Sequence, residues 1–186
     1  MLLRRRRRTI GGMPTKARER LPVSGEPWIV ERSPRRVAVL RTTGDPTAAA
    51  RRAVPALYRS VYALKMRRKR EGRDFRVEPL RARWPNADGT PREEWVGLWA
   101  LPVPDDVDAL PGQEDGIELQ TWEYGPTAEI EHAGPYSTEG PTLLRLHRAV
   151  EELGYEQAGP HEEEYLTRPG SPQPRTLIRY RVRRRR

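Results

Sequence analysis

Two glycines ninety residues apart, Gly44 and Gly134, organise this chain. Each follows a short strand-like run, Val37–Leu40 or Thr127–His132, and each is followed by a stretch with helical spacing and then by two further strand-like segments. A strand, a glycine turn, a helix and two strands, read twice, describe a duplicated β-α-β-β module. The spacing therefore predicts an α+β fold: two pseudo-symmetric halves, each with a helix on one sheet face, around a central cleft where a ligand would sit.

The first helix is the better marked. Asp45 is a candidate cap and Pro46 suits a first helical position. Ala50, Ala53, Val54, Leu57, Val61 and Leu64 recur at spacings of three and four, with Gly72 beyond the end and Pro55 expected to kink or restart the helix. Strands are expected over 75–84 and 94–101, joined through Asp88-Gly89, a hairpin signal. Residues 102–116 hold four Asp, one Glu and three Pro and read as a linker. Strands over 117–124 and 127–132, a helix over 138–153 capped by Ser137 or Thr138, and strands over 162–167 and 176–182 make the second half. The expected organisation is a disordered basic arm over 1–27 and one domain over 28–183. Its modules span about 28–103 and 117–183, joined by a linker at about 104–116, and a basic tail follows at 184–186.

The net charge of +9 invites a nucleic-acid partner until its location is considered. Arg4–Arg8 together with Arg179, Arg181 and Arg183–Arg186 carry eleven positive charges, which leaves −2 for residues 9–178. The arginines at the ends read as solvated tails, and no specific nucleic-acid partner is expected. No stretch approaches 18 consecutive apolar residues, so no membrane span is expected, and a cytoplasmic location is the default. Cysteine is absent, which excludes disulfides, thiolate catalysis and Cys-ligated metals, and His132, His147 and His161 are too scattered to read as a metal set. Neither a metal nor another cofactor is expected. Glycine-rich phosphate loops and nucleophile elbows do not occur in the sequence.

Twelve of the thirteen aromatics are Trp or Tyr, flat side chains with a polar tip. Trp95 and Trp99 share a strand face, and Tyr58 and Tyr62 share a helix face, so these four either build core or line a pocket. Glu163 and Tyr165 alternate along His161-Glu162-Glu163-Glu164-Tyr165-Leu166, with Glu162, Glu164 and Leu166 on the opposite face. If Tyr165 points inward, Glu163 is a carboxylate beside an apolar cleft, suited to act as a base or to pair with a ligand cation. Leu166 favours the other face, and a solvent-facing Glu163 is the plain alternative. On the reading with Tyr165 inward, Glu162 and Glu164 are neutral bystanders.

Several segments together resemble the GyrI-like small-molecule-binding domains, over about 28–183. Leu57-Tyr58-Arg59-Ser60-Val61-Tyr62-Ala63-Leu64-Lys65 is similar to that family's Leu-Tyr…Tyr…Leu-Lys helix, and Pro79-Leu80 with Trp84 and then Trp95 to its strands. His132, Gly134, Pro135, Tyr136, Glu139 and Thr142 match its second helix start, and His161, Glu163, Tyr165 and Leu166 its His-His-Glu-Ile-Tyr-Leu strand, with Glu162 and Glu164 as departures. The resemblance implies an aromatic cleft with an inward acid, here Glu163. It is nearest to stand-alone members similar to hydrolases that open the cyclopropane of DNA-alkylating toxins, which implies self-protection by detoxification. On that reading Glu163 directs water, Tyr136, Tyr165 or His132 donates to the ligand carbonyl, and Tyr58, Tyr62, Trp84, Trp95 and Trp99 form the walls around a planar electrophile. The alternatives are a non-catalytic protein that sequesters aromatic drugs and a gyrase-inhibitor-type interaction protein.

Overall fold

A computed structural model describes residues 25–112 and 116–186. Most of the expected basic arm and residues 113–115 of the expected linker lie outside the described residues. In chain order the elements are β1 (Trp28–Arg32), β2 (Arg35–Thr43), α1 (Pro46–Arg70), β3 (Arg81–Trp84), β4 (Val96–Pro102), β5 (Ile117–Trp122), β6 (Gly125–Ala133), α2 (Gly140–Glu152), β7 (Tyr155–Gln157), β8 (His161–Tyr165) and β9 (Arg175–Arg184). The strands form one antiparallel sheet in the order β1-β6-β9-β8-β3-β4-β2-β5, with β7 paired to the end of β9. Two strands do not follow from the sequence pattern. β1 pairs with β6, and the three-residue β7 is too short to show alternation.

α1 forms where the apolar spacing places it. The Asp45 carboxylate accepts from the Thr47 and Ala48 amides at 2.9 and 3.0 Å, satisfying helix N–H groups that have no partner within the helix. Ala53, Leu57, Val61 and Leu64 are fully buried against Ala38, Ala82 and Leu101. Pro55 does not restart the helix, which runs unbroken for 25 residues. The ring lies on the exposed side, where water can take the carbonyl that loses its donor. The expected strand over 75–84 shrinks to Arg81–Trp84, because Pro79 has no amide for a ladder. α2 begins at Gly140 with Glu139 at its cap position and no side-chain cap. The expected caps Ser137 and Thr138 lie instead in a 3₁₀ turn, Tyr136–Thr138. The acidic segment after β4 is anchored where it is described: Val107 is buried, and Arg68 holds Asp106 at 2.9 Å.

Both helices cover the same sheet face. α1 packs over β2 and β4, and α2 over β6 and β7, so the central strands β3 and β8 lie between the helices. Register sets what they present there. Ala82 pairs with Glu163 on one side and Trp99 on the other, Trp84 pairs with His161, and Glu163 pairs with Ile178. Paired residues share a face, so Trp84, Trp99, His161, Glu163 and Tyr165 all point to the helix side.

The opposite face overturns the sequence reading of Glu162, Glu164 and the C-terminal arginines. Glu162 is 2% exposed and Arg179 is 3% exposed. Arg179 reaches Glu129, Glu162 and Glu164 at 3.1, 3.0 and 2.7 Å, Arg83 reaches Glu162 at 2.7 Å, and Arg81 reaches Glu164 at 3.2 Å. Tyr124 donates to Glu162 at 2.7 Å, and the Arg83 guanidinium lies 4.0 Å from the Trp122 ring centre. Burial pushes the Glu164 carboxyl up, but Arg81 and Arg179 outweigh it and hold its pKa below the usual range. Arg179 and Arg181 are strand residues, not tail. Arg181 donates to the Ala158 carbonyl at 2.8 and 3.1 Å, and β9 continues through Arg183 to Arg184.

Candidate active site

A continuous run of aromatic rings crosses the sheet between the helices, with Trp84 and Trp99 buried in the core beneath α1 at 6% and 4% exposed and Trp95 and Tyr165 packed against it. Trp84 touches Trp95 and Trp99 at ring-centre distances of 5.8 and 5.2 Å, Trp99 stacks on Tyr165 at 6.4 Å, and Tyr136 meets Tyr165 edge-on at 6.2 Å. Gly97 makes the arrangement possible. A Cβ there would stand 2.9–3.0 Å from Trp99 Nε1, Thr42 Oγ1 and Trp84 Cζ3, and Trp99 Nε1 donates to that same Thr42 hydroxyl at 3.0 Å. The Trp84 indole nitrogen is buried without a hydrogen-bond partner, a free donor on the wall.

Glu163 ends this wall. It is 7% exposed, its Oε2 accepts from the Tyr165 hydroxyl at 2.6 Å, and its Oε1 lies 3.2 Å from His161 Nε2. His161 Nδ1 in turn lies 2.7 Å from the Tyr180 hydroxyl. The helix α2 start brings a second carboxylate over β8. Glu139 Oε1 sits 3.6 Å from His161 Nε2 and accepts no hydrogen bond. Burial, reinforced by the Glu163 charge and opposed by His161, pushes the Glu139 pKa up to about 7. The Tyr136 residue is 58% exposed, yet its hydroxyl lies in hydrogen-bonding reach of Tyr165. Desolvation there and the charge of Glu163 push its pKa up to about 12. Burial and the Glu163 charge likewise hold the Tyr165 phenol well above its usual range. Both phenols are therefore protonated donors at neutral pH.

The expected site residues divide into three groups. Glu163, Tyr165, Tyr136, Trp84, Trp95 and Trp99 come together. Tyr58 and Tyr62 stack on each other at 6.1 Å on α1, Tyr58 packed against the core beneath that helix and Tyr62 half exposed. His132 is buried near the end of β6, where its ring braces the turn before α2. Its Nδ1 is 3.0 Å from the Thr142 hydroxyl and its Nε2 is 3.2 Å from the Pro135 carbonyl, so both ring nitrogens are occupied in holding that turn. Glu139, His161 and Tyr180 complete the site without having been assigned a part from the sequence. Glu139 and His161 stand in the matched segments, but only the fold brings them together. A cavity of about 210 Å³ opens on the opposite face, lined by Arg83, Tyr124, Glu162, Arg179 and Arg181 among others. Among the described residues no helix is long and apolar enough to cross a membrane.

Comparison with known proteins agrees with this architecture. The chain is similar to an uncharacterised conserved protein from Listeria innocua, at 24% identity and TM-score 0.77, with 86% of this chain and 93% of that chain covered. It is also similar to a structure described as a hydrolase from Listeria innocua, at 24% identity and TM-score 0.74 over the same shares. The EcmrR C-terminal domain has the same fold at 15% identity and TM-score 0.64, covering 86% of this chain and 98% of that one. No curated protein matches the chain. Residues 25–183 match the GyrI-like small molecule binding domain, and the chain belongs to that family.

Proposed function

We propose that this protein binds planar, electrophilic aromatic molecules against the Trp84, Trp95, Trp99 and Tyr165 wall and hydrolyses the strained ring of cyclopropyl-dienone toxins. The observation that carries this reading is Glu163: a buried carboxylate at the end of an aromatic wall, aimed by a Tyr165 hydrogen bond of 2.6 Å. The family is one of small-molecule binders, and a hydrolase shares the fold. We also read the two halves as copies of one β-α-β-β module, supported by β2-α1-β3-β4 standing across the sheet from β6-α2-β8-β9, with β7 as an addition in the second half.

The chemistry needs three things. Stacking places the flat ligand and excludes water from its faces. Glu163 takes a proton from a water whose oxygen bonds to the cyclopropane methylene. As that carbon–carbon bond breaks, its electron pair passes into the dienone and the ligand oxygen gains phenolate character. A donor stabilises that oxygen and finally supplies its proton. Tyr136 suits this part better than Tyr165, whose hydroxyl donates its hydrogen bond to Glu163, or His132, whose ring nitrogens are engaged by Thr142 and Pro135. One water is consumed, and the product is a ring-opened phenol carrying a hydroxymethyl group.

The test is incubation of purified protein with a cyclopropyl-dienone, followed by mass spectrometry. Appearance of the water-added phenol well above the buffer rate supports hydrolysis. Tight binding with quenched Trp fluorescence but no product would mean that the wall only sequesters its ligand.

A further inference from the structure

We infer that Glu139, His161 and Glu163 form a three-donor site for a divalent transition-metal ion of the zinc class. The three donor atoms come from two elements, the start of α2 and strand β8, and all lie within 4.8 Å of one another. Donors about 2.0–2.2 Å from a tetrahedral ion stand about 3.3–3.6 Å apart. The two edges shared by His161 Nε2 measure 3.2 Å to Glu163 Oε1 and 3.6 Å to Glu139 Oε1.

Two of the three ligands are also oriented from behind. Tyr165 occupies the other oxygen of Glu163, leaving Oε1 to face His161, and Tyr180 holds His161 Nδ1. A proton on Nδ1 donated to the Tyr180 oxygen leaves the Nε2 lone pair pointing at the two carboxylates, the support that metal-bound histidines usually have. Glu139 is the independent sign that something belongs there. It is only 9% exposed, and its Oε1 faces the cluster with no hydrogen-bond partner, a state that is costly to leave unsatisfied. Two carboxylates and one imidazole carry the charge and donor types that zinc accepts, and three protein ligands leave a fourth position for water. The inference goes beyond the aromatic-ligand reading: with Oε2 on Tyr165 and Oε1 on the ion, Glu163 has no oxygen left to take a proton from water, so ring opening belongs to the ion-free form and the metal site to the loaded one.

Calorimetric titration of chelator-treated, full-length protein with zinc chloride tests it, with magnesium chloride as the hard-cation control. One zinc per chain is expected, with magnesium much weaker. His161→Ala and Glu139→Gln should each weaken zinc binding at least about 100-fold, while Tyr180→Phe, which removes only a support, should cost about 10–100-fold. Circular dichroism checks that each variant is folded, and cobalt substitution should give intense visible bands of a four- or five-coordinate ion that His161→Ala abolishes. Absence of saturable zinc binding to wild type would overturn the inference, as would undiminished binding by both folded variants. Because no organic ligand is present, failure here leaves the hydrolase reading standing, and absence of toxin turnover leaves the zinc site standing.

Discussion

Replacing Arg179 with Met removes one guanidinium from among three carboxylates and tests whether the charged face of the sheet is structural. The side chains of Glu129, Glu162, Glu164 and Arg179 are 0%, 3%, 13% and 4% exposed, so solvent cannot replace the lost partner cheaply. Breaking a buried pair costs about 3–5 kcal/mol when the surviving charge is stranded. Here each carboxylate keeps a second cation: Arg32 for Glu129 at 2.6 Å, Arg83 for Glu162 at 2.7 Å and Arg81 for Glu164 at 3.2 Å. That places the expected cost at the lower end, about 3 kcal/mol. For a domain of this size it corresponds to a fall in Tm of about 6–12 °C. Thermal melts and urea denaturation followed by Trp fluorescence read the change, and Arg179→Met combined with Glu162→Gln should cost less than the sum of the single changes. A Tm drop under about 2 °C for Arg179→Met would refute the reasoning and return Glu162 and Glu164 to the bystander role that strand alternation suggests.

Acid stability should follow the same network. Glu164 has a lowered folded pKa, so it binds fewer protons folded than unfolded. Its contribution is present above the ordinary carboxylate range and lost as pH falls through the folded value, and Arg81→Met should blunt that loss in acid melts. Glu139 has the opposite sign: its folded pKa of about 7 lies above the ordinary value, so in chelator its burial costs stability as pH rises from about 4.5 through 7. Glu139→Gln should therefore raise Tm at pH 8 and change it little at pH 4. Gly97→Val should lower stability by about 1–3 kcal/mol and weaken ligand quenching of Trp fluorescence, because the new side chain meets Trp84 and Trp99. Equal stability and quenching would show that the Trp pair does not depend on the missing Cβ.

Local chemistry made some of this legible in advance. Asp45-Pro46 and the spacing of Ala53, Leu57, Val61 and Leu64 mark α1 without reference to any other part of the chain. The alternation that puts Glu163 with Tyr165 is likewise local, although choosing the inward face needed the sheet. Alternation makes Glu162 a bystander because it sees one strand alone, whereas a strand buried on both faces can carry charge if its neighbours answer it. Those answers, Arg83 and Arg179, come from β3 and β9 and are set by register. The Glu139 and His161 pairing was hidden for a similar reason. The two residues are brought together only when the 3₁₀ turn and α2 fold over β8. Ser137 and Thr138 looked like caps from composition, but the turn they occupy ends before the helix begins.

The central claim is that Glu163 moves a proton during ring opening. Its most direct test is the steady-state turnover of a cyclopropyl-dienone by wild type and by Glu163→Gln, measured in chelator, with binding followed separately by Trp fluorescence. The amide keeps the size of the side chain and can still accept from Tyr165, but it cannot take a proton from water. The expected result is a fall in kcat of about 10²–10⁴ with a small change in Kd. Unchanged kcat in a folded Glu163→Gln variant would contradict it.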